Sequence, residues 1–184
     1  MIIVVKLKGG PGSGHFGHAG RPGLRGGSLS GTGGGYTGRV VYSPSLTSEA
    51  RYMPDGSIRI GPKFIDLDKD VQIGVLVHEM SHDILMHTDF NEHIWDVGAV
   101  LDIGNGMFFG GHRSIEEAAA DALTEYATGG GLLGKYPHVR SWAESQYRAA
   151  GVNADTIVGQ ASKAVEKLRG YGDMPDGTEL IVEL

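Results

Sequence analysis

The segment Val71 to His87, VQIGVLVHEMSHDILMH, restricts this chain more than any other: it is dense in apolar residues yet carries His78, Glu79, His82, Asp83 and His87. An apolar density of this kind, preceded by Asp66, Asp68 and Asp70 as cap and dipole partners, predicts a buried helix starting near residues 68 to 70. Ionisable side chains inside such a helix are costly unless they coordinate a metal or find hydrogen-bond partners. Gly74 weakens the helix by about 1 kcal/mol relative to Ala and suggests close packing against a strand.

Residues at i and i+4 lie one above the other on a helix face, so His78 and His82 can offer ring nitrogens to one Zn²⁺ at about 2.0 to 2.1 Å. Glu79 projects beside the pair, where a carboxylate can act as general base toward a water activated by the metal. The His-Glu-x-x-His spacing therefore predicts metal-dependent hydrolysis, with His78 and His82 as ligands and Glu79 as the catalytic base. Two histidines leave a catalytic zinc one protein ligand short.

A second helix supplies a candidate. Ser114 reads as its N-cap, Glu117 stands at the capping-box position, and Gly129 to Gly131 form its stop. Glu117 and Asp121 share one face, so the first can ligate zinc while the second accepts the other ring N–H of a ligand histidine. Glu116 is the alternative ligand from the same turn. His87 is a further alternative, but it lies about 140° around a continuous helix from His82 and points away from the metal. Nothing in the sequence between them forces the helix to end. A donor for the oxyanion that develops during attack is expected from His112, with Arg113 and Tyr126 behind it.

HEMSH followed about 35 residues later by EAAAD resembles the gluzincin arrangement of zinc metallopeptidases. That resemblance spans residues 71 to 128 and implies Glu117 as third ligand, Asp121 as outer partner and an α+β zincin-like domain. HEMSHDILMH with Trp95-Asp96-Val97-Gly98-Ala99-Val100-Leu101-Asp102 is also similar to a group of bacterial metallopeptidases with a Trp-Asn-x-Ala-x-Asp segment after the zinc helix. Asp96 replaces the Asn and Val100 intervenes, which leaves Asp102 as a buried structural carboxylate or an alternative ligand.

Glu49 to Phe64 reads as a β-hairpin turning at Pro54-Asp55-Gly56, with alternation through Ser57-Ile58-Arg59-Ile60. An edge strand beside the zinc helix can pair with an extended peptide; in small zinc proteases similar to this one, such a strand is the substrate platform. The aspartates 66, 68 and 70 do not form an EF-hand, because Val71 and Val77 stand where Gly and Glu are required.

Gly9 to Gly38 is so rich in Gly, Ser and Pro that it cannot bury enough apolar surface to offset its ordering entropy, which predicts a flexible arm over residues 1–38 and one domain over 39–184. Met1 to Lys8 reads as a short strand, too short in its apolar run for a signal peptide. No Gly-Lys-Ser/Thr follows at phosphate-loop spacing, and His15 with His18 is an ordinary solvated pair. GGPGSGHFGHAGRPGLRGGS is similar to a Gly-rich segment of tailed-phage and prophage proteins. That similarity implies a phage or prophage context, with phage head or host proteins as substrates and a location in the host cytoplasm or the virion.

A formal net charge of −6 speaks against an electrostatic nucleic-acid binder, and no segment reaches the length of a membrane span, so neither nucleic acid nor membrane is an expected partner. Zero Cys excludes thiolate ligands and cysteine nucleophiles, so zinc must be held by N and O. Helices are expected over Tyr136 to Ala150 and Asn153 to Arg169, stopped by Gly151 and Gly170, with Trp142 and Tyr147 in the core and a short strand from Glu179 to Leu184. The competing functional reading is a phage structural or interaction protein whose metal site is closed by a fourth ligand such as His87 or Asp102.

Overall fold

The computed structural model describes the side chains of residues 35, 36, 38–90, 92, 93, 96, 97, 100, 101 and 114–171, and the backbone alone of 2–6, 91 and 179–183. His112, Arg113, Trp95, Asp102, most of the glycine-rich tract and the His15/His18 pair lie outside these residues.

The architecture is mixed α+β. Five strands, β1 (Ile2–Lys6), β2 (Arg39–Tyr42), β3 (Ala50–Tyr52), β4 (Ser57–Ile60) and β5 (Glu179–Glu183), form one sheet in the order β1-β5-β2-β4-β3. The β1/β5 and β2/β4 pairs are parallel, and the β2/β5 and β3/β4 pairs are antiparallel. The expected hairpin is present and turns where Pro54-Asp55-Gly56 places it. Gly56 adopts φ 75°, Met53 carbonyl accepts its N–H at 2.9 Å, and Met53 N–H in turn reaches Ser57 carbonyl at 2.8 Å. Asp55 accepts hydrogen bonds from the Ser57 hydroxyl at 2.6 Å and its N–H at 3.0 Å, which hold its carboxyl below the usual carboxylate range. The hairpin is shorter than Glu49 to Phe64, however: Pro62 starts a helical turn, α1 (Pro62–Ile65), because its fixed φ suits a first helical position.

Four longer helices follow among the described residues: α2 (Lys69–Met86), α3 (Ile115–Thr128), α4 (Pro137–Ala150) and α5 (Ala154–Gly170). Gly129 and Gly151 end α3 and α4 in the left-handed conformation that glycine tolerates best. Gly170 does not end its helix in that way; it is the last residue of α5 and Tyr171 caps it. Gly74 also departs from expectation. A Cβ built there meets nothing within 4 Å, so it faces an open depression and not a strand.

The core joins Val40, Ile58 and Ile60 of the sheet to Leu76, Met80 and Ile84 of α2 and Leu123 of α3. Ala118, Ala119, Ala120 and Ala122 are fully buried on α3. Small side chains reduce the separation between packed helices, and α2 and α3 are extensively packed partners.

The core also takes in a residue before position 39. Tyr36 is fully buried; its backbone N–H and C=O are clasped by the Gln160 side-chain amide at 2.8 and 2.6 Å, and its hydroxyl donates to Gly56 carbonyl. A buried aromatic ring supplies apolar area that its glycine neighbours lack, so the end of the tract joins the core. β1 likewise belongs to the sheet. Among the described residues, no helix is long and apolar enough to cross a membrane.

Candidate metal centre

α2 begins at Asp68, its N-cap, with Asp70 in the first turn, as the aspartate run predicts, although the Asp68 side chain makes no capping hydrogen bond. Three turns later the helix brings His78 and His82 to its side facing α3. α3 starts at Ser114, whose hydroxyl accepts from Glu117 N–H at 3.3 Å. Only half of the expected capping box forms, because the Glu117 carboxylate turns toward the histidines and not back to the cap.

His78 Nε2 lies 3.3 Å from Glu117 Oε2, and His82 Nε2 lies 3.8 Å from Glu117 Oε1. One ligand atom from each of His78, His82 and Glu117 falls within 4.8 Å of the others, a grouping that could hold a metal ion. The outer contacts explain why the same ring nitrogen of each histidine faces inward. Asp121 Oδ1 sits 2.7 Å from His78 Nδ1, and Glu116 Oε1 sits 3.1 Å from His82 Nδ1. A carboxylate on Nδ1 holds the proton there and leaves Nε2 as the donor atom, which is the outer support that imidazole ligands need. Two imidazoles and one carboxylate, all N and O donors, suit a divalent transition-metal ion.

Asp121 therefore stands where its spacing from Glu117 predicts, and the histidine that it orients is His78. Glu116, the alternative ligand, is instead the outer partner of His82. His87 is not part of the cluster: α2 runs to Met86, and the His87 ring bonds to Asp83 carbonyl at 2.7 Å. Tyr126, expected behind the oxyanion donor, is also elsewhere; its ring packs on Tyr147 with centroids 5.5 Å apart. The side chain of Tyr126 is nine residues from Glu117, half a turn out of phase on α3.

Glu79 is 9 % exposed and accepts a hydrogen bond from Tyr52 N–H on β3. Burial raises its pKa above the ordinary carboxylate value against the pull of His78, His82 and the Tyr52 N–H. Burial pushes the His78 imidazole down, but the hydrogen bond and charge of Asp121, with Glu79 and Glu117, outweigh it and hold its pKa above the usual histidine value. Tyr52 was not singled out by any motif, yet it closes the site. Its ring stacks on His82 at 6.3 Å between centroids and its hydroxyl donates to Asp83, so burial and the Asp83 carboxylate push its own pKa up. An aromatic at the start of a turn was the only available signal.

Two depressions flank the cluster. A polar cleft of about 340 Å³ is lined by Ser48, Arg51, Tyr52, Glu79, His82 and Glu117 among others. An apolar one of about 510 Å³ runs past Leu67, Val71, Gly74 and Val75 to His78 and Asp121. No protein family, curated protein or solved structure matches this chain.

Proposed function

We propose that the chain is a zinc metallopeptidase with a zincin-like fold, hydrolysing peptide bonds through His78, His82 and Glu117 as metal ligands and Glu79 as general base. The observation that carries this reading is the convergence of three ligand atoms from α2 and α3, with Asp121 and Glu116 on the outward ring nitrogens. The Glu79 carboxylate, in the same cleft as His82 and Glu117, supports a hydrolytic centre over a purely structural one.

When bound, zinc supplies Lewis acidity toward a water and toward the substrate carbonyl. Glu79 takes the proton of the attacking water and passes it to the leaving amine, a role that its place in the cleft beside His82 and Glu117 supports. Asp121 and Glu116 keep both imidazoles in one tautomer. β3 is the edge of the sheet beside α2, which supports an extended peptide as substrate. His112 remains the proposed oxyanion donor, and the glycine-rich segment supports a phage or prophage context in which phage head or host proteins are cleaved.

Elemental analysis of the purified wild type, His82→Ala and Glu117→Ala tests this reading without a substrate. One zinc per wild-type chain, lost or weakened in both variants, is the expected result. Zinc absent from metal-replete wild type would sink it, and zinc retained in Glu117→Ala would move the third ligand elsewhere.

A further inference from the structure

The outer edge of β3 is occupied by two side chains that imitate a missing strand. In the antiparallel β3/β4 pair, Glu49 carbonyl accepts from Gly61 N–H at 2.9 Å and Ser57 carbonyl accepts from Met53 N–H at 2.8 Å. Hydrogen-bonded rungs alternate with unbonded ones in such a pair, so the backbone groups of Ala50 and Tyr52 face away from β4, toward the side of β3 that has no neighbouring strand among the described residues. The Ser48 hydroxyl donates to Ala50 carbonyl at 3.1 Å, standing where a docked strand would offer an N–H. Glu79 Oε2 accepts from Tyr52 N–H, standing where the same strand would offer a carbonyl.

We propose that the Tyr52 N–H is a shared donor: it holds the Glu79 carboxylate while the cleft is empty and is taken over by a carbonyl of an extended peptide adding to β3, which releases Glu79 toward the attacking water. One N–H cannot make a full hydrogen bond to both acceptors, so docking of the substrate backbone and freeing of the base are one exchange. Tyr52 is thus a positioning residue acting through Glu79. Its ring on His82 and its hydroxyl on Asp83 keep the donor in place while the acceptor changes. The inference rests on the metallopeptidase reading and adds to it a coupling between backbone recognition and the base.

The test compares zinc-loaded Glu79→Gln, which keeps an acceptor for Tyr52 N–H, with zinc-loaded Glu79→Ala, which removes it. Both lack the base, so the probe, a blocked penta-alanine peptide, stays intact over the binding measurement. The Ala variant should bind the peptide about fivefold more tightly, the scale of one exchanged hydrogen bond. Hydrogen exchange at the Tyr52 amide gives a second readout that packing alone would not move. In Glu79→Gln it should be slow with or without peptide; in Glu79→Ala it should be fast alone and slowed by peptide. Peptide binding with no protection of Tyr52 in Glu79→Ala, or binding to neither variant, overturns the exchange while zinc content leaves the metal site standing. Failure of the wild type to hold zinc overturns the metallopeptidase reading and the exchange together.

Discussion

The cleft over His82, about 340 Å³, and the depression between α3, α4 and α5, about 420 Å³, are both lined by ionisable side chains and differ in where the partners of those side chains come from. In the second depression Arg148 pairs with Glu144 one turn away at 3.0 Å, Asn153 caps its own helix through Asp155 and Thr156 N–H, and Tyr147 donates to Leu123 carbonyl at 3.3 Å. Each of these contacts is made within one helix or to backbone. Around the cleft and the neighbouring apolar depression, by contrast, His78, His82 and Glu79 of α2 meet Glu116, Glu117 and Asp121 of α3 and Tyr52 of β3. Carboxylates there crowd around two imidazoles, an excess of negative charge that a divalent cation would neutralise. Polarity and volume are shared by the two regions; convergence of ligands from separate elements is not.

The sharpest way to break that contrast is to remove the base alone. Glu79→Gln should retain zinc by elemental analysis and lose roughly 10² to 10⁴ in peptide hydrolysis, the usual scale for a general base. Normal turnover in that variant would end the proposed mechanism. Next in size is the outer support. Asp121→Ala should weaken zinc binding by about 10- to 100-fold in a competitive chelator titration, whereas Asp155→Ala in the other depression should leave it unchanged. Equal effects of the two would mean that the metal is held by general acidity of the surface.

Acid separates the metal from the fold. Because His78 binds its proton more tightly in the fold than the ordinary value of 6.5, its contribution to the metal-free protein is fully present below that value and is lost as pH rises through its higher folded pKa. Burial of Glu79 acts in the same direction, since its folded pKa is also raised. Zinc needs the unprotonated imidazole, so its affinity moves the opposite way. The rise in melting temperature on adding zinc should therefore grow from pH 6 to pH 8, read by thermal unfolding with and without the metal. A zinc-induced shift that is flat across that range would remove His78 from the ligand set.

These centres were unequally legible in the amino-acid sequence. While the choice of Glu117 over Glu116 and Asp102 leaned on the gluzincin resemblance, the spacings His78/His82 and Glu117/Asp121 each become one face on a helix, which made the two pairs legible. Ser114, Gly129 and the turn at Gly56 were legible for the same reason. Glu116 and Tyr52 were not, because their roles depend on how α3 is rotated against α2 and on which rung of β3 faces outward, and both are set by packing across the fold. The sheet order was hidden too: parallel pairing of β1 with β5 joins the two ends of the chain, and no local pattern carries that information. Tyr36 shows the limit of compositional reasoning, since a glycine-rich tract ended in a residue that the core needed.

The smallest expected effect falls on the depression that lacks convergence. Arg148 is 76 % exposed and pairs with Glu144 at i,i+4 on the surface of α4. Such a pair gains little because water screens it and two long side chains must be ordered to form it. Arg148→Ala should change unfolding free energy by no more than about 0.5 kcal/mol in urea titration and leave zinc content unaltered. A larger loss, or a loss of zinc, would show that α4 holds α3 in place for the metal through Arg148. The line drawn between a region of converging ligands and one of locally paired charges would then fail at this residue first.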